Sequence, residues 1–562
     1  MVRLSISAPN YPSLIKSLEG HDLLPAIVFI SSRRGCDEAT ESFRSNLIDN
    51  LSPRRTEEII NEISKHDPNE VKYITGHRHY WLLTKKGIAT HHAGHLPIWK
   101  HTVEKLMSKG LLRAVFATTT LAAGIDMPAR SVVITASSLR SDEGHRDLKA
   151  FELAQMTGRA GRRGKDKVGF AIFVPGPFQD IHMIVDLLGK DPEPIDSRFS
   201  ANYTMVLNLM QQHTVEDAQD LLGKSFGQYQ RLKRVDGLKR RYEQVMSEIK
   251  ADDKDRPCLD RASTWTDYAE LSEHLGKSKR ALKNLRRKLK RDLDSALDPQ
   301  EEVEALSESD DAKLKLEEQI NALSRKVEEL TSRKDAMACP QCPQVSTCSR
   351  TVVLLKGQQR EARRLEGVVG ELEHGLWERF EDCARLLQQF DYLDNDWKPT
   401  TDGIWASKLR VENTLFVAEL MRAGYFETDD ARLLAGLVGA LAASDREIDV
   451  EYQEGEEVLI PHFKIATKTS HKLAHAQGRA GLYFPIILDQ DAARVVWLWA
   501  DDHLRWKDMF EQLRADEGDI VRLILRTSDI LGQLTYLKNT HRQLAELARD
   551  AITLIRRPPI ED

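Results

Sequence analysis

Four short apolar runs constrain this chain more than anything else in it: residues 26–30 (AIVFI), 114–117 (AVFA), 132–135 (VVIT) and 170–174 (FAIFV). A run without polar alternation marks a strand buried on both faces, as in a parallel sheet covered by helices. Helical stretches such as 99–109 lie between the runs. Strands alternating with helices need crossover connections, which make the sheet parallel. Residues 1 to about 185 are therefore expected to form one α/β domain. Ligands of such sheets bind outside the carboxyl ends of the strands. Two polar stretches fall there: Ser31, Ser32, Arg33 and Arg34 after the first run, and Thr118, Thr119 and Thr120 after the second.

The stretch 155–164, QMTGRAGRRG, carries the most pointed chemistry. Arg159 and Arg162 stand three apart among glycines. A guanidinium is always charged and offers a rigid fork of donors to phosphate oxygens. Glycines let a backbone approach a ligand closely or start a helix tightly. Two such arginines suit the stabilisation of a transferring phosphoryl group. The plainer reading is a basic turn at a helix end. The stretch just upstream, 117–130 (ATTTLAAGIDMPAR), moves the weight to phosphate chemistry.

In these residues the chain resembles the superfamily-2 helicases. Gln155, Gly158, Arg159 and Arg162 match their motif VI, and the fuller QMTGRAGRRG is similar to the exosome-associated, superkiller-type RNA helicases. Residues 117–130 resemble motif V, 25–38 (PAIVFISSRRGCDE) motif IV, and His91, His92, Ala93 and Gly94 the HHAG element. Residues 200–207 (SANYTMVL) resemble the entry to the helical part after the motor, and the nearest likeness is to the cyanobacterial and chloroplast branch. The resemblance implies that residues 1–185 are the second RecA-like domain of an ATP-dependent RNA helicase. It places Arg159 and Arg162 on the ATP phosphates, with Gln155 ordering that site and Gly124, Asp126 and Gly158 at the nucleotide. It puts Arg33, His92, Gly94, Thr118 and Thr120 on the RNA backbone, contacts that position a strand without reading sequence. Two residues depart from the family: Thr119 stands where Glu is more frequent, and Asp126 where Asn is, although Asp is common there in other superfamily-2 helicases.

The resemblance also implies a first RecA-like domain with a Walker A loop, G-x-x-x-x-G-K-[ST], and a D-E-x-H motif that holds Mg²⁺. The ends of such a loop occur at Gly223-Lys224-Ser225 and Gly276-Lys277-Ser278, but Ala218 and Leu271 occupy the positions of the first glycine. Asp142-Glu143-Gly144-His145 spells D-E-x-H between motifs V and VI, with no phosphate loop before it, and reads as a polar loop. The expectation is a C-terminal helicase portion, inactive alone, that works with a first RecA-like domain from a missing N-terminal part or another chain. ATP, Mg²⁺ and RNA are the implied ligands. The competing classes are a non-catalytic RNA-binding or scaffold subunit and a DNA helicase.

The remainder is expected to be mainly α-helical. Residues 186–228 read as linker and winged-helix entry, 386–410 as the rest of the winged helix, and 411–562 as a C-terminal helical ratchet domain of the DSHCT type. By resemblance, Glu517 and Arg522 face the bound strand. Between them, 229–385 carries apolar residues at spacings of three and four, at Val235, Leu238, Tyr242, Val245 and Ile249, at Leu316, Ile320, Leu323, Val327 and Leu330, and at Ala362, Leu365, Val369, Leu372 and Leu376. These are heptad repeats, which predict an antiparallel coiled-coil stalk. The basic run 279–291 suits RNA phosphates or a solvated helix face. Cys339, Cys342 and Cys348, at a predicted hairpin tip, form part of a zinc site or a set of reduced thiols; Cys383, Cys258 or His374 would be the fourth ligand. Trp497, Trp499 and Trp506 read as core residues, with base stacking as the alternative.

A net charge of -6 supplies no global attraction for nucleic acid, so any RNA contact rests on local arginines. The N-terminus has no apolar signal-like segment, and the longest small-apolar run, 433–443, is too short for a bilayer. A protein without membrane attachment is expected, cytoplasmic or, in a plastid-bearing organism, in the chloroplast stroma.

Overall fold

The computed structural model describes residues 9–44, 48–121, 127–141, 144–176, 179–254, 262–295, 306–337, 339–442, 448–450, 455–501, 503–510 and 513–560. Two compact units form, one from residues 1–220 with 379–562, the other from 221–378.

The first unit begins with a parallel sheet. Its strands are β1 (Ala26–Phe29), β2 (Ile88–His91), β3 (Ala114–Ala117), β4 (Ser131–Ile134) and, after the hairpin β5 (Ser138–Ser141) and β6 (Gly144–Asp147), β7 (Phe170–Phe173). The order is β2-β3-β1-β4-β7, with Ala26 opposite both Ala114 and Ser131. All four expected strands are present. The fifth, β2, has only Ile88 and Ala89 before Thr90 and His91, too short an apolar run to announce itself. Successive side chains alternate between two cores: Ile27 and Phe29 meet Trp99 and Val103, while Ala26 and Val28 meet Ile15 and Phe43. Burial on both faces is what the unbroken apolar runs required, and β1, β3 and β4 meet it; β7 does not, because it lies at the edge of the sheet, with Phe170 38% exposed. Helix α1 (Arg33–Glu41) leaves the carboxyl end of β1, and α2 (Ala150–Thr157) leads into the arginine-glycine stretch. Gly144 and His145 of the D-E-x-H spelling open β6; Asp142 and Glu143 lie outside the described residues.

The second unit is helical, as the heptads predict. Helices α3 (Phe226–Lys254), α4 (Ala262–Ser295), α5 (Leu306–Asp335) and α6 (Val345–Gln389) account for its length. Val245 packs with Ala362 and Leu365, so α3 lies on α6; Leu282 packs with Leu316 and Ile320, so α4 lies on α5. In the basic run, Leu282 faces inward, and Lys279, Arg280, Lys283, Arg286 and Arg287 are exposed.

The C-terminal part of the first unit is a helix cluster. The small-apolar run becomes α7 (Ala431–Gly439), with every residue from Leu433 to Gly439 buried. It packs on α9 (Gln490–Trp499), α10 (Glu517–Thr535) and α11 (Arg542–Ile555), while α8 (Ile460–Arg479) flanks the cluster, and a short pair, β8 (Asp449–Val450) with β9 (Leu513–Arg514), closes one edge. Trp497, Trp499 and Trp506 are all buried, in line with the core reading. Among the described residues no helix is long and apolar enough to cross a membrane.

Candidate nucleic-acid and nucleotide sites

At the carboxyl end of β1, Ser32 caps α1 by accepting from the Gly35 N–H at 3.0 Å, which sets Arg33 on the first helical turn. Arg33 then reaches across the chain to the start of α10, donating to Asp516 at 2.8 Å and Asp519 at 2.6 Å. The Arg33 side chain is 16% exposed and that of Asp519 4%, so this pair is largely removed from water. Acidic residues suit a helix N-terminus, whose amides point outward with partial positive charge. Arg522, one turn on, donates to Asp519 and, at 3.1 Å, to the Ala93 carbonyl.

The loop after β2 completes this interface. The Gly518 N–H donates to the Gly94 carbonyl at 3.0 Å. A Cβ on Gly518 would stand 2.1 Å from the Ala93 oxygen, and one on Gly94 would stand 2.6 Å from Asp516 Oδ2. Two backbones meet at a distance that only glycine permits. Beside them lies a cavity of about 380 Å³, lined by Tyr73, Arg78, Gly94, Trp506, Lys507 and Glu517 among others. Trp506 Nε1 donates to Glu517 at 3.0 Å, and burial pushes the Glu517 carboxyl above its ordinary pKa.

A buried set of histidines holds the loop from behind. The His79 N–H donates to His77 Nδ1 at 3.1 Å, which leaves the His77 proton on Nε2, facing His95 Nδ1 at 3.1 Å. His95 Nε2 faces the Thr90 hydroxyl at 2.8 Å, Thr90 faces His79 Nδ1 at 3.0 Å, and His79 Nε2 lies 3.1 Å from Glu41. Tautomers assigned from the hydrogen bonds run in one direction, from His77 through His95 and Thr90 to His79, whose Nε2 lies near Glu41 without a hydrogen bond to it. Burial drives His77 down to about 2 and His79 down to about 4, so both rings stay neutral. The triads His77, His79, His95 and Asp37, His92, His95 each bring three ligand atoms within 4.8 Å of one another, a density that would suit a cation. A ligating imidazole, however, presents a bare nitrogen to the metal and donates from the other. His77 and His92 do the reverse: each accepts a backbone N–H at Nδ1, from His79 and from Gly94. These rings are wired for hydrogen bonds.

The arginine-glycine stretch occupies a different edge, where β1 and β4 begin. Gly158 ends α2 with ordinary helical φ, so this glycine finishes a helix and does not start one. Gly161 has φ +91° and approaches Gly169 so closely that a Cβ on Gly169 would lie 2.4 Å from the Ala160 carbonyl carbon. That turn presents Arg162 to Asp166, which accepts from Nε at 2.7 Å, Nη2 at 2.8 Å and the Arg162 backbone N–H at 3.0 Å. Arg130 adds a contact to Asp166 at 3.2 Å. The hydrogen bonds from Arg162 hold the Asp166 carboxyl well below the usual carboxylate range.

Arg33, Gly94, Glu517 and Arg522, expected on the RNA path, meet at one interface. His92, expected beside them, is 1% exposed and turns its ring toward Asp37 at 3.2 Å, away from solvent. Thr118 is half-buried after β3, and the Thr120 side chain, Gly124 and Asp126 lie outside the described residues. Gln155 is exposed, and Arg159 is half-buried, its carbonyl accepting from the Ala129 N–H at 3.0 Å. Cys339 and Cys342 are half-buried in a tight turn; the side chains of Cys348 and Cys258 lie outside the described residues. Cys383 is a core thiol that burial pushes up to about 12. Among the described residues no metal-ligand cluster includes a cysteine. Sequence reasoning missed Asp516, Gly518 and Asp519 as partners of Arg33 and Gly94, and missed Asp166. Asp166 lies four residues after Arg162, a spacing that could have suggested it.

A five-stranded parallel sheet packed with a helical C-terminal cluster is the architecture of a RecA-like domain followed by helical elements. The DSHCT (NUC185) domain family matches residues 396–562. The chain is 38% identical over 273 residues to the probable helicase HelY of Mycobacterium tuberculosis, covering 47% of this chain and 30% of that protein. It is 24% identical to the chloroplastic DExH-box ATP-dependent RNA helicase DExH15 of Arabidopsis thaliana, covering 99% of this chain and 64% of that protein. Against the human exosome RNA helicase MTR4 it is 33% identical, over 41% of this chain and 22% of the relative. The domain match and these relatives support a chain similar to the C-terminal portion of the superkiller-type DExH-box helicases. It spans less than two thirds of the length of these relatives.

Proposed function

We propose that this chain is the C-terminal part of an ATP-dependent RNA helicase that couples ATP hydrolysis to RNA unwinding or translocation. A first RecA-like domain, from a longer chain or another subunit, supplies the phosphate loop and the Mg²⁺ ligands. Arg159 and Arg162 form the opposite wall of the ATP cleft, with Gln155, Gly124, Asp126 and Gly158 at the nucleotide. The observation that carries this reading is the anchoring of Arg162. Asp166, its side chain 1% exposed, engages Nε and Nη2, and the glycine turn fixes the backbone beneath. A guanidinium held in this way loses little freedom on meeting a phosphate, the condition for stabilising charge that develops during transfer.

On the RNA side, Thr118 and Thr120 offer hydroxyl groups to the phosphate backbone. Arg33, Gly94 and Arg522 tie the sheet's carboxyl edge to α10, so that strand-contacting loop and ratchet helix move together. Arg162→Ala in the complete motor is expected to lower RNA-stimulated ATP turnover by about 10³-fold, the scale of an arginine finger. Near-normal turnover would remove the assignment.

A further inference from the structure

We propose that the outer face of α8 (Ile460–Arg479) binds single-stranded RNA through its phosphates, a contact that rests on the RNA-directed reading above. The twenty residues of α8 contain no Asp or Glu, in a chain whose net charge is -6. The inner face is buried through Phe463, Ala466, Thr469, Leu473 and Ala476. Lys464, Lys468, His471, His475 and Arg479 are exposed, at spacings that place them on one stripe. From Lys464 to Arg479 the stripe runs about 22 Å at 1.5 Å per residue. Among the described residues of α8, Lys472 alone has a carboxylate partner, Glu419 at 3.1 Å, and it lies beside the stripe.

A basic helix face is often only solvated, and a cation in the last turn is favoured by the helix dipole. That accounts for Arg479. It does not account for Lys464 and Lys468, which lie in the first half of the helix, far from the last turn where the dipole favours positive charge. Two further features point to a strand. A groove of about 580 Å³ runs beside Phe463, Lys464, Thr467, Lys468 and His471. Past the other end, Tyr483 is 81% exposed, a ring free to stack on a base. Cations that follow the backbone, with an aromatic platform beside them, make a sequence-tolerant single-strand site.

The test is a titration of the whole chain against a labelled 20-nucleotide single-stranded RNA, read by fluorescence anisotropy between 50 and 200 mM salt. Each phosphate contact on a single strand contributes about 0.7 to the log–log salt slope, so Lys464→Gln, Lys468→Gln and Arg479→Gln together should flatten it by about 2. The wild type's affinity should therefore fall about 20-fold more than the variant's over that range. The corresponding Lys464→Arg, Lys468→Arg variant keeps the wild-type slope, because charge and not shape is at stake. Tyr483→Ala weakens binding about tenfold with no change in slope. Wild-type binding with an unchanged slope in the triple glutamine variant overturns this site and leaves the helicase reading standing. An absence of RNA binding by the wild type overturns both.

Discussion

Arg33 can act in two ways, and one substitution separates them. If it faces RNA, Arg33→Ala weakens RNA binding and leaves the fold alone. The structure instead places its guanidinium between Asp516 and Asp519. Removing one partner of a buried ion pair costs about 3–5 kcal/mol, because the other charge is left desolvated. Here Asp519 keeps Arg522, and the Asp516 side chain is 40% exposed, so the local cost should sit below that range, at about 2–3 kcal/mol. At 1.4 kcal/mol per tenfold, this is about a 30- to 150-fold rise in local opening. Global melting is a poor readout for a chain with two units. Amide hydrogen exchange reports local opening directly. Peptides covering 90–96 and 516–525, which contain the Gly518 to Gly94 bond, should exchange faster by that factor, while peptides from α4 and α5 remain unchanged. An Asp519→Ala variant should show the same pattern, and the double variant should cost less than the sum by about 1–2 kcal/mol. Unchanged exchange in Arg33→Ala, with RNA affinity lost, would refute the interface and restore Arg33 to the strand.

Two further substitutions test the surroundings of this interface. Gly518→Ala puts a methyl group against the Ala93 carbonyl, 2.1 Å away, and should open the same peptides by at least as much as Arg33→Ala, read by the same exchange measurement. The histidine set makes the fold sensitive to acid: His79 has a folded pKa of about 4 against 6.5 when unfolded, so its contribution is intact above pH 6.5 and is lost as pH falls toward 4. At pH 5 the penalty from His79 alone is about 2 kcal/mol, so exchange in peptide 90–96 should accelerate between pH 7 and 5 beyond its intrinsic trend, and His79→Gln should remove only its own share of that excess, because His77 and His95 are also held neutral by burial.

What was legible in the sequence follows from the range of the forces involved. Strand burial, helix caps and heptads are written in neighbouring residues, so β1, β3, β4 and β7 and the pairing elements of the helical unit could be read directly. The loop motifs were legible because phosphate chemistry needs Arg, Gly and hydroxyl side chains close together. The partners were not, because Arg33 and Asp519 lie 486 positions apart and nothing local to either announces the other. Asp516, Glu517 and Asp519 read as an acidic helix start, and that is correct, but the same acidity that suits the dipole of α10 also forms the receptor for Arg33. Likewise, the second glycine of the contact, Gly518, has no turn or positive φ to explain it; its reason is the carbonyl of Ala93.

The histidines show the same limit from the opposite side. By residue type and mutual distance they form a metal site, and composition-based reading has no means of excluding it. The direction of two backbone N–H groups decides the matter, since each occupies the lone pair that would otherwise leave its ring free to donate outward and ligate inward. The consequence reaches the interface. His92 is held between the Gly94 N–H at 3.2 Å and Asp37 at 3.2 Å, so the backbone that offers its carbonyls to Gly518 and Arg522 is fixed on its far side by a buried hydrogen-bond network. A loop locked from both faces transmits displacement instead of absorbing it. A shift of the sheet's carboxyl edge therefore has to carry α10 with it, the coupling that the proposed RNA-directed function requires.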